Sequence, residues 1–201
     1  GVHRLSVTSL FSNLVTRPTG RAIRTGVESQ IAEMEGEPQV TLSILDFSQV
    51  RVLDYSCADE IVAKLLLRYL GDERPAEAFF IVRDVQEHHV EAIEAVLERH
   101  ELLLVAVRDE GAAELLGADD PAHRAVWDAL VRRGRTSRAE LAEDTGLPRE
   151  AVTAVLAHFY LKRVAAVHVD GTVSPLSAFL QEQATLVVEL ASPSTGELLY
   201  A

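Results

Sequence analysis

Thr41–Leu67, TLSILDFSQVRVLDYSCADEIVAKLLL, is the stretch whose reading decides the fold. It opens on an apolar run, Thr41–Asp46, bends through polar residues and takes a second apolar step at Val50–Leu53. An Asp54–Tyr55–Ser56–Cys57 corner follows. A segment with Ile61, Leu65 and Leu66 at helical spacing comes next, and predicts a helix over about 58–70. The outline is a buried strand delivered onto the N-terminus of a helix. Helix starts carry unpaired N–H groups and a partial positive charge, so a hydroxyl there sits where a phosphate would be stabilised. The corner is thus the first place to look for a switch. Ser56 is expected to cap the helix, with Asp59 and Glu60 in its first turn, and Cys57 to be a small packed residue.

Working outward, Val2–Phe11 alternates weakly, as a strand does. Thr16–Gly20 (TRPTG) punctuates it, and Ile23, Val27, Ile31 and Met34 then form one helical stripe that ends at Glu35–Pro38. Arg17 and Arg21 are expected to pair with surface acids. Beyond the corner, Ala78–Val85 reads as a buried strand. Val90, Ile93, Val96 and Leu97 read as an amphipathic helix whose start, His88–His89, is solvated. Leu102–Val107 reads as a third core strand, and Gly111–Leu116 as the start of a short last helix. Strands alternating with helices imply a parallel or mixed sheet with helices packed on it.

The rest of the chain changes character near residue 120. Residues 1–120 hold 11 Lys/Arg and 22 Asp/Glu, residues 121–180 hold 8 and 6, and residues 181–201 hold 0 and 3. Asp119–Asp120–Pro121 is the expected linker. Ala125, Val126, Leu130 and Val131 share a helix face, with Trp127 nearby. Ser137 and Glu140 form a capping-box pattern for a second helix that ends at Gly146. Pro148 opens a third helix, with Val152, Val155, Leu156 and Phe159 as its buried stripe. Val164–Val169 and Thr172–Leu176 flank Asp170–Gly171, a hairpin signal. Three helices with a short turn between the last two, then a hairpin, make a winged helix-turn-helix. The division expected is 1–118, 121–180 and a tail, 181–201, in which Thr185–Leu190 could form a strand able to pair with another subunit's edge.

Arg132, Arg133, Arg135 and Arg138 form the one basic cluster of the sequence, and Arg149 and Lys162 lie on or just beyond the third helix. These six are the candidate contacts to DNA phosphates. The rest of that helix offers Thr153, His158 and alanines at 151, 154 and 157, which is thin for base readout. With a single cysteine and scattered histidines there is no internal disulfide and no zinc-ligand spacing. No apolar run reaches the roughly 20 residues of a membrane span, and Val2–Leu14 lacks the pattern of a signal peptide. A cytoplasmic protein with no cofactor is expected. The Gly-x4-Gly-Lys phosphate loop is absent, as is any nucleophile–base pair.

Residues 10–117 resemble the STAS-like family, relatives of anti-sigma-factor antagonists. The match is carried by FSNLVTRPTGRAIR (Phe11–Arg24), LDFSQV (Leu45–Val50) and LDYSCADEI (Leu53–Ile61). The resemblance implies a small α/β domain with helices on one face of a four- or five-stranded sheet. It also implies a partner-binding surface at Asp54, Tyr55, Ser56, Cys57, Asp59 and Glu60. In that family a serine directly after the Asp is phosphorylated by a kinase that is also an anti-sigma factor; here Tyr55 holds that position and Ser56 follows it. The sum is a non-enzymatic bacterial regulator: a STAS-like α/β module that binds a protein, a kinase or anti-sigma-like regulator, joined to a winged helix that binds DNA or protein. The alternative is a nucleotide-binding module, or a scaffold that contacts proteins only.

Overall fold

The computed structural model describes residues 4–33, 40–108 and 111–181. Five strands form one mixed sheet: β1 (Arg4–Ser9), β3 (Thr41–Asp46), β5 (Ala78–Arg83), β6 (Leu104–Val107) and β7 (Ala113–Leu116), side by side in that order. The first four are parallel and β7 is antiparallel to β6. Because the parallel strands follow each other in sequence order, right-handed crossovers place all their helices on one face. These helices are α1 (Arg17–Ala32), a corner helix, and α4 (Glu87–Arg99). The corner helix starts as α2 (Tyr55–Ala58), widens into a π-helical segment (Asp59–Lys64) and continues as α3 (Leu65–Leu70). A second, two-stranded parallel ribbon, β2 (Asn13–Leu14) with β4 (Val52–Leu53), joins the approach to α1 to the approach to the corner.

All six residues of β3 are buried, the polar Thr41, Ser43 and Asp46 included, because both faces of the sheet are covered. On one face Leu45, Phe80, Val82 and Leu104 pack against Ile23, Val27, Ile61, Leu65, Ile93 and Leu97. On the other, Leu42, Ile81, Val105 and Val107 share a core with Val126, Trp127, Leu130, Leu156 and Phe159. Those residues belong to α5 (Pro121–Arg133) and α7 (Arg149–Leu161), which with α6 (Arg138–Thr145) and the antiparallel hairpin β8 (Ala165–Val167)/β9 (Val173–Pro175) complete the fold. The halves on either side of residue 120 therefore share one apolar core. The indole N–H of Trp127 donates to the carbonyl of Ala113 on β7 at 3.1 Å. Arg163 donates to Glu77 and to the carbonyl of Ala78, and stacks over Phe79, 4.0 Å from its centroid.

Several sequence expectations meet the structure directly. The Ser137/Glu140 capping box forms. Gly146 closes α6 in the left-handed conformation, and Val152, Val155, Leu156 and Phe159 are the buried residues of α7. Pro148 sits one place earlier than expected, as the N-cap of α7. The expectation of a helix at Gly111–Leu116 is overturned: Ala113–Leu116 is a strand. Ala, Glu and Leu favour helix by propensity, but four residues are too few to sustain one. A turn at Gly111 (φ +77), whose N–H donates to Arg108 O at 2.8 Å, instead returns the chain along β6. Leu116 then enters the first core and Leu115 packs against the second. Met34, Glu35–Pro38 and Thr185–Leu190 lie outside the described residues, as does all of the tail after Gln181. No helix among the described residues is long and apolar enough to cross a membrane.

Candidate functional site

The corner is built around Asp54. Its backbone is extended, and its carboxylate accepts from the Cys57 N–H and the Ser56 hydroxyl through Oδ1 (both 2.8 Å) and from the Thr16 N–H through Oδ2 (2.8 Å). Asp54, not Ser56, is thus the N-cap. Asp reaches the third N–H of the helix from the position before it, and the Ser56 hydroxyl is left to donate back to it. Burial alone would raise the Asp54 pKa; the Cys57 and Thr16 N–H groups and the Ser56 hydroxyl outweigh it and hold the pKa below the usual range. The same bonds clamp the corner onto Thr16, a β-branched residue at φ +72 immediately before α1. That is a sparsely populated conformation, held here by its surroundings.

Cys57 is fully buried and its thiol donates to Thr16 O at 2.9 Å. Burial, followed by the neighbouring Asp54 charge, pushes its pKa up to about 11. The thiolate is the reactive form, so native protein at pH 7.5 should leave Cys57 untouched by a disulfide-exchange reagent, with full reaction only after denaturation. Rapid labelling of folded protein would contradict this packing.

Asp59 and Glu60 were expected on the outside as partner contacts. The structure buries both, at 8% and 0% exposure. In the wider π-helical turn, five consecutive residues, Asp59–Ala63, are buried, so two adjacent carboxylates turn inward together. Arg17 reaches both, at 2.8 Å to Asp59 and 3.0 Å to Glu60. Glu60 also takes Lys64 (2.6 Å) and Arg24 (3.3 Å), and Asp59 takes His100 (3.0 Å). Burial works to raise both acids; hydrogen bonds from Arg17 and His100 to Asp59 and from Lys64 and Arg17 to Glu60, with the charges of those Arg and Lys side chains, override it and lower them. The crossing is tight: a Cβ on Gly20 of α1 would lie 2.9 Å from Glu60 Cβ and 3.0 Å from Cys57 Cα. Arg17 therefore pairs inward rather than with surface acids. Arg21 is exposed, with no ion pair among the described residues.

The corner presents apolar side chains to solvent beside polar ones such as Asn13, Thr16 and Arg51. Tyr55 is 53% exposed, its hydroxyl 3.4 Å from Glu91. Beside it, Val52 of β4 pairs with Asn13 of β2 and is exposed, and Val15 and Phe11, just outside β2, are exposed too, Phe11 at 67%. Next to Tyr55 and Ser56 a cavity of about 370 Å³ is bounded by Arg17, Val96 and Arg99. Phe11, Val15 and Val52 were not singled out from sequence; strands of two residues, β2 and β4, are too short to leave a periodic signal around them. His89, expected in solvent, is 2% exposed and bonds the Arg51 carbonyl through Nε2 at 3.1 Å, tying α4 to the ribbon.

The basic cluster is largely engaged. Arg133 forms a two-point pair with Asp144 (2.6 and 2.8 Å) and reaches Glu140. Arg135 binds Asp170 and Thr172 at the hairpin (2.8 and 2.7 Å), and Arg132 lies 3.7 Å from Asp144. Arg138 and Arg149 are exposed, with no ion pair among the described residues, and Lys162 is half-buried. The outer face of α7 carries Thr153, Ala154, Ala157, Tyr160 and Leu161, the last two 58% and 66% exposed. No three His, Cys, Asp or Glu side chains gather into a metal site among the described residues. No protein-family model matches the chain, and no curated protein matches it.

Proposed function

We propose that this is a non-enzymatic regulatory protein that docks a partner protein at the corner, through Tyr55, Ser56 and the adjoining β2/β4 ribbon. The reading is carried by four exposed apolar side chains on segments that adjoin the clamped helix start: Phe11 and Val15 flank β2, Val52 opens β4 and Tyr55 opens α2. Solvent-exposed apolar clusters of this kind mark interaction surfaces, and Tyr is a frequent anchor in them. Arg51 and Arg99 at its margins, both exposed, fit a partner that mixes apolar and acidic groups. The expected class is the kinase or anti-sigma-like regulator that the STAS-like resemblance implies. The order of α5–α7 and the β8/β9 hairpin is that of a winged helix. With Arg133 and Arg135 held by acids and an apolar face on α7, a protein-contacting role for it is favoured over DNA readout.

A Phe11→Glu/Val52→Glu variant tests the site. Its thermal stability should stay near wild type, since surface changes away from special features usually fall within about 0.5 kcal/mol. Binding of a partner recovered with the wild-type chain from native lysate should drop at least tenfold. Undiminished binding by the folded variant would move the site elsewhere.

A further inference from the structure

His123, in the first turn of α5, meets His158, in the last turn of α7. His123 Nε2 lies 2.8 Å from His158 Nδ1, with the rings nearly perpendicular. The Asp120 carboxylate is 3.7 Å from His123 Nδ1, which is buried and makes no hydrogen bond. His158 also feels Lys162, the C-cap of its own helix, and Glu101 beyond the end of α4. It lines a groove of about 930 Å³ along the seam between the two halves, with Glu98, Glu101, Lys162, Leu67 and Leu161.

A bond between two imidazoles needs the N–H of one and the lone pair of the other. The neutral pair has one further lone pair, on an outer nitrogen, so it can accept one proton and keep the bond. That charge is then offset by Asp120 or Glu101. A second proton must occupy the shared lone pair. It removes the bond and sets two cations against each other, with Lys162 as a third.

We propose that His123 and His158 form an acid-sensitive latch between α5 and α7, closed while the pair holds at most one extra proton and loosened at the seam groove when a second is forced on. The unfolded chain takes up both protons below about pH 6.5, whereas the latched fold takes only one. The unfolded state then binds more protons, so stability is full above pH 6.5 and falls as the pH drops. Burial, then His123 and Lys162, hold His158 below its ordinary value, which agrees in sign. Buried His89 contributes in the same direction, so the test must leave it in place.

The chain has one tryptophan, Trp127, whose ring packs edge-on against Phe159 (5.8 Å), which in turn packs against His123 (5.6 Å). Its emission should report the latch. Equilibrium unfolding of the full chain and of His158→Gln is compared from pH 8 to 5 with EDTA present. The wild-type unfolding constant should rise about tenfold per pH unit below 6.5 relative to the variant, and native Trp127 emission should change over the same range in the wild type only. Parallel pH profiles in the two proteins would overturn the latch. Imidazole NMR on the unmodified protein decides independently if the variant does not fold. Two widely separated, mutually coupled titration steps support the latch; two independent steps near pH 6.5 refute it.

Discussion

Trp127→Ala is expected to destabilise the whole chain, by about 3–5 kcal/mol, in one cooperative transition. Trp127 is 2% exposed on α5, yet its apolar surroundings belong to the same core as Leu42 of β3, Ile81 of β5 and Val105 of β6, and its N–H is held by the Ala113 carbonyl. Removing the indole leaves a cavity between the sheet and α5 that neither side can close alone. Two independent domains would respond differently, with only the C-terminal transition moving. Far-UV circular dichroism with denaturant, and hydrogen exchange at β3 and β5 amides, separate the two cases. Unchanged protection of β3 and β5 in Trp127→Ala would show that the halves do not share stability. Trp127→Phe should recover part of the loss.

Asp59→Arg is the second large effect. A residue that contacts a partner from the surface could be reversed in charge without loss of folding. Here the new guanidinium would enter a site where Arg17 and His100 already converge, and Glu60 would keep only part of its pairing. A buried pair broken in this way costs about 3–5 kcal/mol, a large fraction of the stability of a typical domain, about 5–15 kcal/mol. Asp59→Asn, which keeps the shape, should cost less. Because Asp54, Asp59 and Glu60 are all held below their ordinary values, the stability they supply is present above about pH 4 and lost as the pH falls below it. That window is distinct from the one near pH 6 for the histidine pair. An Asp59→Arg protein that melts with the wild type would place the carboxylate outside the core.

Elements that rest on local pattern were legible in the chain. The run at Thr41–Asp46 could be read as a strand from Leu42, Ile44 and Leu45, and the structure buries its polar members Thr41, Ser43 and Asp46 with them. The α7 stripe, Ile93, Val96 and Leu97 of α4, and the Ser137/Glu140 box follow from spacing and hydrogen-bonding chemistry confined to one or two turns; of the α5 stripe Val126 and Leu130 are buried, with Trp127 and Ala129 in place of Ala125 and Val131. The corner was also visible, since an Asp-x-Ser-Cys step between a strand and a helix has few other readings.

What tertiary structure decided is everything that depends on which surfaces meet. Ala113–Leu116 has helix-forming residues, and only the open edge of β6 makes it a strand. Adjacent acids at 59 and 60 look solvated in a regular helix. The π-helical turn and the close approach of α1 at Gly20 turn them inward onto Arg17. The composition break near residue 120 suggests separable domains, but the second face of the sheet needs an apolar cover, and α5 and α7 supply it. The apolar patch at Phe11, Val15 and Val52 and the His123–His158 contact join residues 35 or more apart in the chain, or strands two residues long. Neither leaves a mark in any local window of sequence, because the energies that select them come from burial and pairing between segments rather than within one.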